Sequence, residues 1–302
     1  MPAVSSPVSP RQGRYDRVAI AMMILVHLVA LVGIWLFPPT APLLAVLAVS
    51  YFARMFGITA GYHRYFSHRA FRTSRAVQFL LALLGGMATQ RGALWWAAHH
   101  RDHHRHSDQE GDVHSPLREG FLWSHIGWIV HDSSTPTIHE NIRDFTKFPE
   151  LRWLDRWHLA PPVLLGAGLL LAGGLPWLVW GFFVATVLVW HGVFAINSLA
   201  HVWGSRRFPT SDGSRNNVLL AWLTLGEGWH NNHHHFQSSA RQGFFWWETD
   251  VTFYALWLLE RAGVVWKLKA VPERSLAAAS PEVPAAASES APALGRLKSL
   301  GS

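Results

Sequence analysis

The sequence predicts an all-α integral membrane protein, with four membrane-spanning helices and a helical cap on the water side. Of the 302 residues, 50% are hydrophobic, only 15% are charged, and 17 are tryptophan. An ordinary soluble domain has about 25% charged residues. The chain also contains long uncharged apolar segments, of the length that a bilayer core of about 30 Å requires.

The apolar segments form two pairs within one membrane domain, 18–270. The four predicted spans are about 18–37, 41–62, 158–174 and 176–200. Uncharged turns separate the members of each pair, at Pro38-Pro39-Thr40 and at Ala172-Gly173-Gly174-Leu175. A shorter apolar stretch at 76–96 is interrupted by Gly85-Gly86, and we expect an interfacial or partly inserted helix pair there.

The rest of the chain is assigned to the cap and to two tails. The polar, histidine-rich segments 63–157 and 201–270 form the predicted cap. Within the cap, 244–267 is apolar and aromatic, which indicates a helix that packs on the cap or lies in the membrane interface. The terminal segments 1–17 and 271–302 contain few bulky apolar residues, so both are predicted to be disordered.

The distribution of charge predicts the orientation in the membrane. Lys and Arg are absent from the two inter-span turns and concentrate in the N-terminal tail and the cap. The positive-inside rule therefore places both termini and the cap on the cytoplasmic side. The formal net charge of +7 favours an anionic membrane face or an anionic substrate head group. It does not indicate nucleic acid binding, because the basic residues form no stripe with aromatic platforms.

Cysteine is absent from the chain. The protein therefore has no disulfide, no thiolate zinc site and no cysteine-held iron–sulfur cluster. Any electrons for redox chemistry must reach the protein from a separate donor, since the chain also has no His-Pro-Gly-Gly haem segment and no flavin fingerprint.

Four histidine-bearing segments predict a metal site. On a helix, residues three and four apart are neighbours, so the spacing within the second and fourth segments aims several imidazoles at one place. His63 and His68 are five apart, so we expect the helix to end or bend between them. The four segments contribute His63 and His68; His100, His103 and His104; Asn197 and His201; and His230, His233 and His234.

Nine imidazoles exceed the needs of one ion, so we interpret the set as a two-metal site. One cluster alone is equally typical of a surface histidine run, whereas four together are not. Nitrogen ligands favour iron, copper or zinc over magnesium or calcium. Soluble di-iron proteins use a Glu-x-x-His pair on each of two helices. Only Glu227 and His230 form such a pair here, which indicates a centre held chiefly by imidazole.

The three boxes His63-x-x-x-x-His68, His100-x-x-His103-His104 and His230-x-x-His233-His234 resemble those of the membrane fatty acyl desaturases. The resemblance extends over roughly residues 15–270. Further motifs resemble the acyl-CoA delta-9 (stearoyl-CoA-like) branch, in a bacterial form without fused cytochrome b5. These motifs are Gly61-Tyr62-His63-Arg64, Asp112-Val113-His114-Ser115-Pro116, Ser124-His125-Ile126-Gly127-Trp128, Asn197-Ser198-x-x-His201 and Gly226-Glu227-Gly228-Trp229-His230.

The resemblance implies four spans, a cytoplasmic cap that holds two Fe²⁺ ions, and a bent tunnel for the acyl chain. The implied iron ligands are His63, His68, His100, His103, His104, His201, His230, His233 and His234, with Asn197 acting through a water. Glu227, His114 and His125 are expected to support the ligands or the head group without binding iron. His99, His106 and His235 lie beside the boxes but off the pattern.

The resemblance also implies the residues that bend the tunnel. In this branch a Gln, a Trp and a Thr hold the bend, and Gln90 and Trp96 match the first two. The third position is Val193 here, which keeps the shape of Thr but lacks its hydroxyl. We therefore expect a looser bend and a wider spread of double-bond positions than a Thr enzyme gives.

The implied activity is the O₂-dependent desaturation of a saturated fatty acyl thioester, with acyl-CoA and the delta-9 carbon as the expected specificity. The electron donor would be a cytochrome b5-like protein, a ferredoxin or a rubredoxin. Four arginines near the first box, Arg64, Arg69, Arg72 and Arg75, are candidates for binding the phosphates of coenzyme A. They are equally interpretable as ordinary positive-inside residues. The expected location is a bacterial inner membrane.

Three alternatives remain at this stage. A di-iron membrane hydroxylase would share the boxes, although the Asn197-Ser198-x-x-His201 motif and the position of Trp96 favour a desaturase. A desaturase could also act on acyl chains of phospholipids or of acyl-carrier protein. A metal transporter is disfavoured, because transport needs polar ligands inside the spans and these clusters follow the span ends. The sequence leaves chain length, donor identity and oligomeric state open.

Overall fold

A computed structural model of the chain describes residues 13–279, and this part is mostly helical. The α-helices are α1 Arg17–Leu36, α2 Ala41–Phe56, α3 Arg75–Gly86, α4 Ala93–His106, α5 Pro116–Glu119, α6 Phe121–His125, α7 Arg143–Thr146, α8 Pro149–Arg156, α9 Ala160–Trp177, α10 Ala185–Ser198, α11 Val218–Leu223, α12 His230–His235, α13 Val251–Arg261 and α14 Glu273–Leu276. Wider π-helical turns occupy Gly57–Ser67 and Leu178–Val184.

Short 3₁₀ turns and one small sheet complete the described structure. The 3₁₀ turns are Gly127–Val130, Asp132–Ser134, His139–Ile142 and Leu199–His201. The strands β1 Arg72–Thr73 and β2 Val265–Trp266 pair antiparallel, with Arg72 opposite Trp266. Apart from this short ribbon, the described residues agree with the expected helical fold. Residues 265–266, at the end of the apolar segment predicted as a helix, form strand β2 instead.

Three continuous helical stretches are long and apolar enough to cross a membrane: Arg17–Leu36, Ala41–Ser67 and Ala160–His201. The third stretch has 42 residues, and non-helical backbone at Gly173 and Gly174 divides it. A β-carbon added to Gly181 would lie 3.0 Å from the Leu169 side chain, which shows that the two halves fold back on each other. The turn expected at 172–175 thus coincides with the break.

The surface of these helices is apolar. On α1, for example, Leu28 and Leu31 are more than half exposed, as is Trp35. Exposed apolar side chains along a helix of membrane-spanning length are the normal signature of contact with lipid. The interior-facing side of the same helix carries small residues, among them the buried Ala30 and Gly33.

One cation lies inside the bundle of apolar helices. Arg54 on α2 is 1% exposed, and its guanidinium donates to Thr186 Oγ1 at 2.5 Å and to the carbonyl oxygens of Gly181 and Phe182 at 3.5 and 3.4 Å. Ser50 Oγ donates to the same Gly181 carbonyl at 2.5 Å. The π-helical turn 178–184 supplies both carbonyls.

The close approach of the second span and α3 requires small residues. A β-carbon on Gly57 would lie 2.6 Å from the backbone nitrogen of Gly85, which no side chain tolerates. Residues 87–92 connect α3 to α4. The segment 76–96, where a helix pair was expected, therefore contains α3 and the first turn of α4. The α13 helix packs on the cap through buried Thr252 and Leu256.

The predicted tails need correction where the structure describes them. Asp16 accepts hydrogen bonds from Val18 N and Ala19 N and so caps α1, and its own amide donates to Val130 O at 2.8 Å. Tyr15 pairs with His131 through a β-bridge. Residues 13–17 are therefore ordered against the cap. At the other end, 271–279 includes α14, whereas 1–12 and 280–302 lie outside the described residues.

Candidate metal centre

The first two histidines sit on a π-helical turn. The amide of His68 donates to His63 O at 3.2 Å, and Ser67 Oγ donates to Tyr62 O at 2.8 Å, both across five residues. This winding brings positions five apart onto one face, and the two imidazole rings lie 4.8 Å apart between centroids. The expected end or bend between His63 and His68 is therefore wrong: the helix widens instead.

The other segments are arranged as their spacing indicates. The α4 helix carries His100, His103 and His104, and the one-turn helix α12 carries the third box. His201 follows α10 in the 3₁₀ turn Leu199–His201. Asn197 and His201 therefore do not lie on one continuous α-helix, because the winding of the backbone changes after Ser198.

The eight box histidines and His201 gather into two groups of nitrogen atoms. Within each group all ligand atoms lie within 4.8 Å of one another. Adjacent histidines on one helix divide between the groups, since His103 joins one and His104 the other. The first group is His63, His68, His100, His104 and His233, and the second is His103, His201, His230 and His234.

The nitrogen spacing fits transition-metal coordination. In the first group, neighbouring Nε2 atoms lie 2.9 Å apart for His68 and His100, and 3.0 Å apart for His63 and His233. In the second, His201 Nε2 and His230 Nε2 lie 3.0 Å apart. At the metal–imidazole distance of about 2.1 Å, two nitrogens at a right angle lie about 3.0 Å apart. The donor sets therefore fit ions of the iron, copper or zinc type.

Buried carboxylates hold the opposite ring nitrogens. His103 Nδ1 donates to Asp112 at 2.9 Å, His201 Nδ1 to Asp108 at 2.7 Å, and His234 Nδ1 to Asp212 at 2.6 Å. Glu227 forms the same kind of contact with His63 Nδ1. Since each carboxylate accepts the Nδ1 proton, the Nε2 lone pair is left free for a metal.

The electrostatics of five rings in these groups favour neutral imidazole, the form that binds metals. At His103, burial lowers the pKa, but the charge and hydrogen bond of Asp112 outweigh that effect and raise the pKa. Burial lowers the pKa of His68, His100 and His104 well below the usual value, and the neighbouring imidazoles lower it further. Burial likewise lowers the pKa of His230 and His233. These five rings are therefore neutral at pH 7, each with one N–H and one free nitrogen lone pair.

The carboxylates stay charged despite their burial. Desolvation raises the pKa of Asp108, but its hydrogen bond and charge interaction with His201 outweigh that effect and lower the pKa to about 2. His103 lowers the pKa of Asp112, and His234 lowers that of Asp212, in the same way. These anions would compensate the positive charge of metal ions bound at the two groups.

The supporting residues are partly where the sequence suggested. Glu227 contacts the ligand candidate His63, as expected. His114 stacks on His103 with ring centroids 4.2 Å apart. His125 does not support the centre: its Nδ1 lies 2.9 Å from Ser198 Oγ and its Nε2 lies 3.0 Å from His191 Nδ1, and neither partner is a ligand candidate. The position of His125 in the motif Ser124-His125-Ile126-Gly127-Trp128, outside the three boxes, was the only basis for expecting a supporting role.

The three off-pattern histidines use their rings elsewhere. His99 Nδ1 donates to Trp95 O at 2.9 Å, and His106 Nδ1 to Asp102 O at 3.1 Å. His235 Nε2 donates to Ser275 O at 2.9 Å and its ring stacks on Phe208. Among the described residues, none of the three belongs to either histidine group.

An apolar cavity of about 580 Å³ leads to the first group. We call it the acyl cavity. It extends from Asp16 and Val18 at the start of α1 to His100 and Asn197, and its walls are mainly apolar and aromatic. A smaller cavity of about 30 Å³ shares Trp96, His100, Val193 and Asn197 with it and continues to Met55 and Ile58. We call this second space the deep cavity.

The predicted bend residues lie at the junction of the two cavities. Trp96 Nε1 donates to Gln90 Oε1 at 3.3 Å, and Val193 lines both cavities. In the described part of the chain, Gln90 Nε2 is buried without a hydrogen-bond partner. An unpaired amide is the expected consequence of Val in place of Thr, because the missing hydroxyl removes one acceptor.

The arginines proposed for the head group need correction. Arg64 is 1% exposed and its guanidinium donates to Asp250 at 3.0 Å and Glu227 at 3.2 Å, so it has a structural role inside the cap. Arg69 pairs with Asp144, and Arg75 forms a bidentate pair with Glu150 at 2.7 Å. Arg72 is exposed on β1.

None of these four arginines is among the described residues that line the acyl cavity. Arg91 lines it instead, and its guanidinium donates to Thr135 O at 3.2 Å. The carboxylates that neutralise Arg64, Arg69 and Arg75 come from more than 70 positions away, so the sequence around the first box did not reveal them.

The sequence reasoning also missed the carboxylates behind the histidines. Asp108 and Asp112 follow α4 by only a few residues, and Asp112 lies in a motif already noted, so the second box carried a local signal. Asp212 lies in an irregular loop between the third and fourth histidine segments, where no periodicity pointed to it. Gln242, whose Nε2 lies 3.2 Å from His63 Nδ1, had no local signal either.

Together, the structure combines apolar helices of spanning length, two buried histidine groups that could each hold a metal ion, and an adjoining apolar cavity. The Fatty acid desaturase family model matches residues 39–247, and the chain belongs to that family.

Relatives with different named substrates are similarly close. The chain is 36% identical over 251 residues to an sn-2 palmitoyl-lipid 9-desaturase of Nostoc sp. (strain 36), covering 82% of this chain and 87% of the relative. It is 39% identical to an sn-1 stearoyl-lipid 9-desaturase of Anabaena variabilis, covering 70% and 78%. It is 40% identical to an Acyl-CoA C20 Delta5-desaturase of Anemone leveillei, covering 71% and 70%.

Proposed function

We propose that the two histidine groups each hold one Fe²⁺ ion and that the protein introduces a cis double bond into a saturated fatty acyl chain in an O₂-dependent reaction. The observation that carries this proposal is the position of His100. It belongs to the first histidine group and also lines both the acyl cavity and the deep cavity. A chain that fills both cavities therefore passes beside the metal group.

Bound iron would supply the activation of O₂ and the removal of hydrogen from an unactivated methylene. The protein's own residues position the chain and keep water out. Trp96 and Gln90 fix the wall at the bend, while the apolar walls of the acyl cavity exclude water from the reacting carbons. The carboxylates hold the ligand rings in one tautomer. Asn197 faces the junction beside His100 and would act on one iron through a water.

The expected substrate is acyl-CoA, with delta-9 regiochemistry. The Gln90–Trp96 hydrogen bond at the junction supports a fixed bend, and a fixed bend selects one carbon pair. A glycerolipid-bound acyl chain is the second candidate. It is favoured by the ion pairs of Arg69 and Arg75, which leave fewer free cations for the phosphates of coenzyme A. Two relatives named for acyl-lipids add weight to this candidate.

We also propose four spans, with the cap and both termini on the cytoplasmic side of a bacterial inner membrane. The fold-back at Gly173-Gly174 supports the count, and the charge-free turns at 38–40 and 172–175 support the orientation. The absence of cysteine makes a test direct. A Thr40→Cys variant should react with an impermeant maleimide outside intact cells, whereas Arg105→Cys should react only after permeabilisation.

Electrons would come from a separate donor, a cytochrome b5-like protein, a ferredoxin or a rubredoxin, because the chain has no cysteine for an iron–sulfur centre. The hydroxylase alternative shares every metal residue. It differs in product, since insertion of oxygen leaves an alcohol and desaturation leaves an alkene.

The deciding experiment is purification followed by product analysis. We expect two irons per chain and an O₂-dependent cis-monounsaturated product when reductant is supplied. Separate incubations with acyl-CoA and with glycerolipid distinguish the two substrate classes. His103→Ala and His233→Ala each remove one ligand from a different group, so both should lose iron and all activity. Wild-type iron and turnover in both variants would overturn the assignment, and an alcohol product would favour the hydroxylase.

A further inference from the structure

A polar crevice of about 220 Å³ opens on the cap, separate from both acyl-lined spaces. Three segments form it: the end of α4, the loop 209–212 and the end of α12. Its lining residues are His104, Arg105, Ser107, Gln109, Pro209, Thr210, Ser211, Asp212, His234, His235 and Gln237. Among the eleven, only Pro209 is apolar.

The crevice runs from solvent to the metal centre. Arg105, Gln109 and Ser211 are exposed and form its outer part. Ser107, Asp212 and His234 are buried, with His234 8% exposed, and form its inner end. The lining thus changes from exposed to buried along one continuous space.

The inner end reaches both histidine groups at once. His104 belongs to the first group and His234 to the second. The acyl and deep cavities touch the same groups through other members, among them His63, His100 and His230. Within the described residues, no residue that lines the crevice lines either acyl space.

The chemistry of the lining suits a hydrated cation. A hydrated ferrous ion is stabilised by oxygen and nitrogen donors that replace its waters. The crevice offers such donors along its length. At the inner end Asp212 Oδ2 lies 2.6 Å from His234 Nδ1, and Ser107 Oγ lies 3.5 Å from the same nitrogen. The acyl cavity offers mainly apolar walls, which penalise a charged ion.

We propose that this crevice is the route by which hydrated Fe²⁺ reaches and leaves the two histidine groups. The proposal rests on the function proposed above, since it takes both groups to be iron sites. It assigns the polar crevice to iron and water, and the apolar cavity to the acyl chain, so that loading does not require an empty acyl cavity.

The test measures iron exchange and not turnover. Apoprotein in detergent is loaded with Fe²⁺, and the loaded protein is then challenged with a coloured ferrous chelator. Ser211→Trp and Gln109→Trp each narrow the crevice, and neither residue is a proposed ligand or lines the acyl or deep cavity. We expect both loading and chelation to slow by roughly tenfold, while the final iron content stays at the wild-type level.

Two controls make the result specific. Met22→Trp obstructs the acyl cavity, and Leu219→Trp alters exposed α11 away from all three spaces; both should exchange iron at the wild-type rate. Unchanged rates in both crevice variants, or slowing by Met22→Trp instead, would overturn the proposal. If the wild-type protein binds two irons per chain but the crevice variants exchange iron at the wild-type rate, only the proposed route is overturned. If the wild-type protein binds no iron, the proposed function is overturned as well.

Discussion

At the residue scale, Val193 shows how one missing hydroxyl alters a cavity wall. Val193 lies where the acyl and deep cavities meet, beside the hydrogen-bonded pair of Gln90 and Trp96. Gln90 Nε2 remains buried and unpaired among the described residues. A buried amide group without a partner costs about 1–3 kcal/mol. The bend is therefore held by one hydrogen bond and by packing alone.

Val193→Thr should narrow the distribution of double-bond positions, because the added hydroxyl gives the junction a further polar partner at nearly the same volume. The effect on turnover should be small, on the order of 1 kcal/mol for a neutral hydrogen bond. Product double bonds are mapped by mass spectrometry. Val193→Ala is the matched control, since it enlarges the space without a hydroxyl and should broaden the distribution. An identical product pattern in the Thr variant would contradict the role assigned to the bend.

Asp112 shows the same logic for the metal centre. It accepts the Nδ1 proton of His103 at 2.9 Å and is itself 2% exposed. Asp112→Asn should weaken iron binding by roughly 10–100-fold, because the substituted amide no longer fixes the tautomer of His103 or balances cationic charge. Iron content after dialysis against graded chelator measures the change.

Asp102→Asn provides the control for Asp112. Asp102 lies on α4, the helix that carries His103, and accepts from Asn141 at 3.3 Å. It contacts His106, which is outside the two groups. Its variant should retain wild-type iron. Equal iron loss in both variants would mean that general damage to α4, and not the Asp112–His103 contact, explains the result.

At the element scale, Arg101 ties the first histidine segment to the second. It lies on α4 between His100 and His103, and its guanidinium donates to Phe66 O at 2.6 Å and Ser67 O at 2.9 Å. These are carbonyls at the end of the π-helical turn. Asp144 accepts two further hydrogen bonds from it, at 3.0 and 2.9 Å. One side chain thus holds His68 and His100 in register.

Arg101→Lys keeps the charge but loses the planar set of donors, so it should leave the π-helical carbonyls unsatisfied. We expect a loss of about 2 kcal/mol in the free energy of unfolding, in the range for hydrogen bonds to charged groups. Thermal unfolding in detergent and iron content report the change. Arg105→Lys, one helical turn further on an exposed face, should behave as wild type. Equal melting temperatures for both variants would contradict the coupling.

The spacing of α4 and α12 predicted that their histidines lie close together, because neighbours at three and four positions are set by helix geometry. It did not predict how they divide, since His100 and His104 join one group and His103 the other. The winding around His63 and His68 was not predictable in the same way. It depends on Arg101 and on the close packing of Gly57 against Gly85, and both contacts join segments distant in sequence. Likewise, the sequence around Arg64 indicates a surface cation. In the structure the Arg64 side chain is buried and donates to Asp250, which lies 186 positions later in the chain.

At the scale of the whole molecule, the membrane bundle and the cap meet at the acyl cavity. Residues from α1 and α10 form one side of it, and cap residues such as Trp128 and Val130 form another. The three helical stretches of membrane-spanning length coincide with the apolar segments of the sequence, since apolar length is a local property. The sequence did not predict which side chains close the inner end of the cavity, because those come from α2, α10 and the cap together.

In the proposed function, the deep cavity would determine how much of the acyl chain fits beyond the two histidine groups. It holds only about 30 Å³, and Met55 and Ile58 are among the residues that bound it. Met55 is fully buried, and its Cε would lie 3.0 Å from a β-carbon on Gly192, so the side chain has little freedom to move aside. The space behind the double bond is therefore limited by a packed side chain and not by a flexible surface.

Met55→Ala should lengthen the deep cavity and shift the preferred substrates toward longer acyl chains. Since the bend at Trp96 and Val193 is unaffected, the double bond should keep its distance from the head group while the tail beyond it grows. Competition between saturated chains of graded length, read by gas chromatography, measures the shift. Leu44→Ala, on the lipid-facing side of the same helix, removes a similar volume and should leave the preference unchanged. If Met55→Ala instead moves the double bond along the chain without changing the preferred chain length, the prediction is wrong. In that case the contact of the methyl end with the deep cavity sets the position of the double bond.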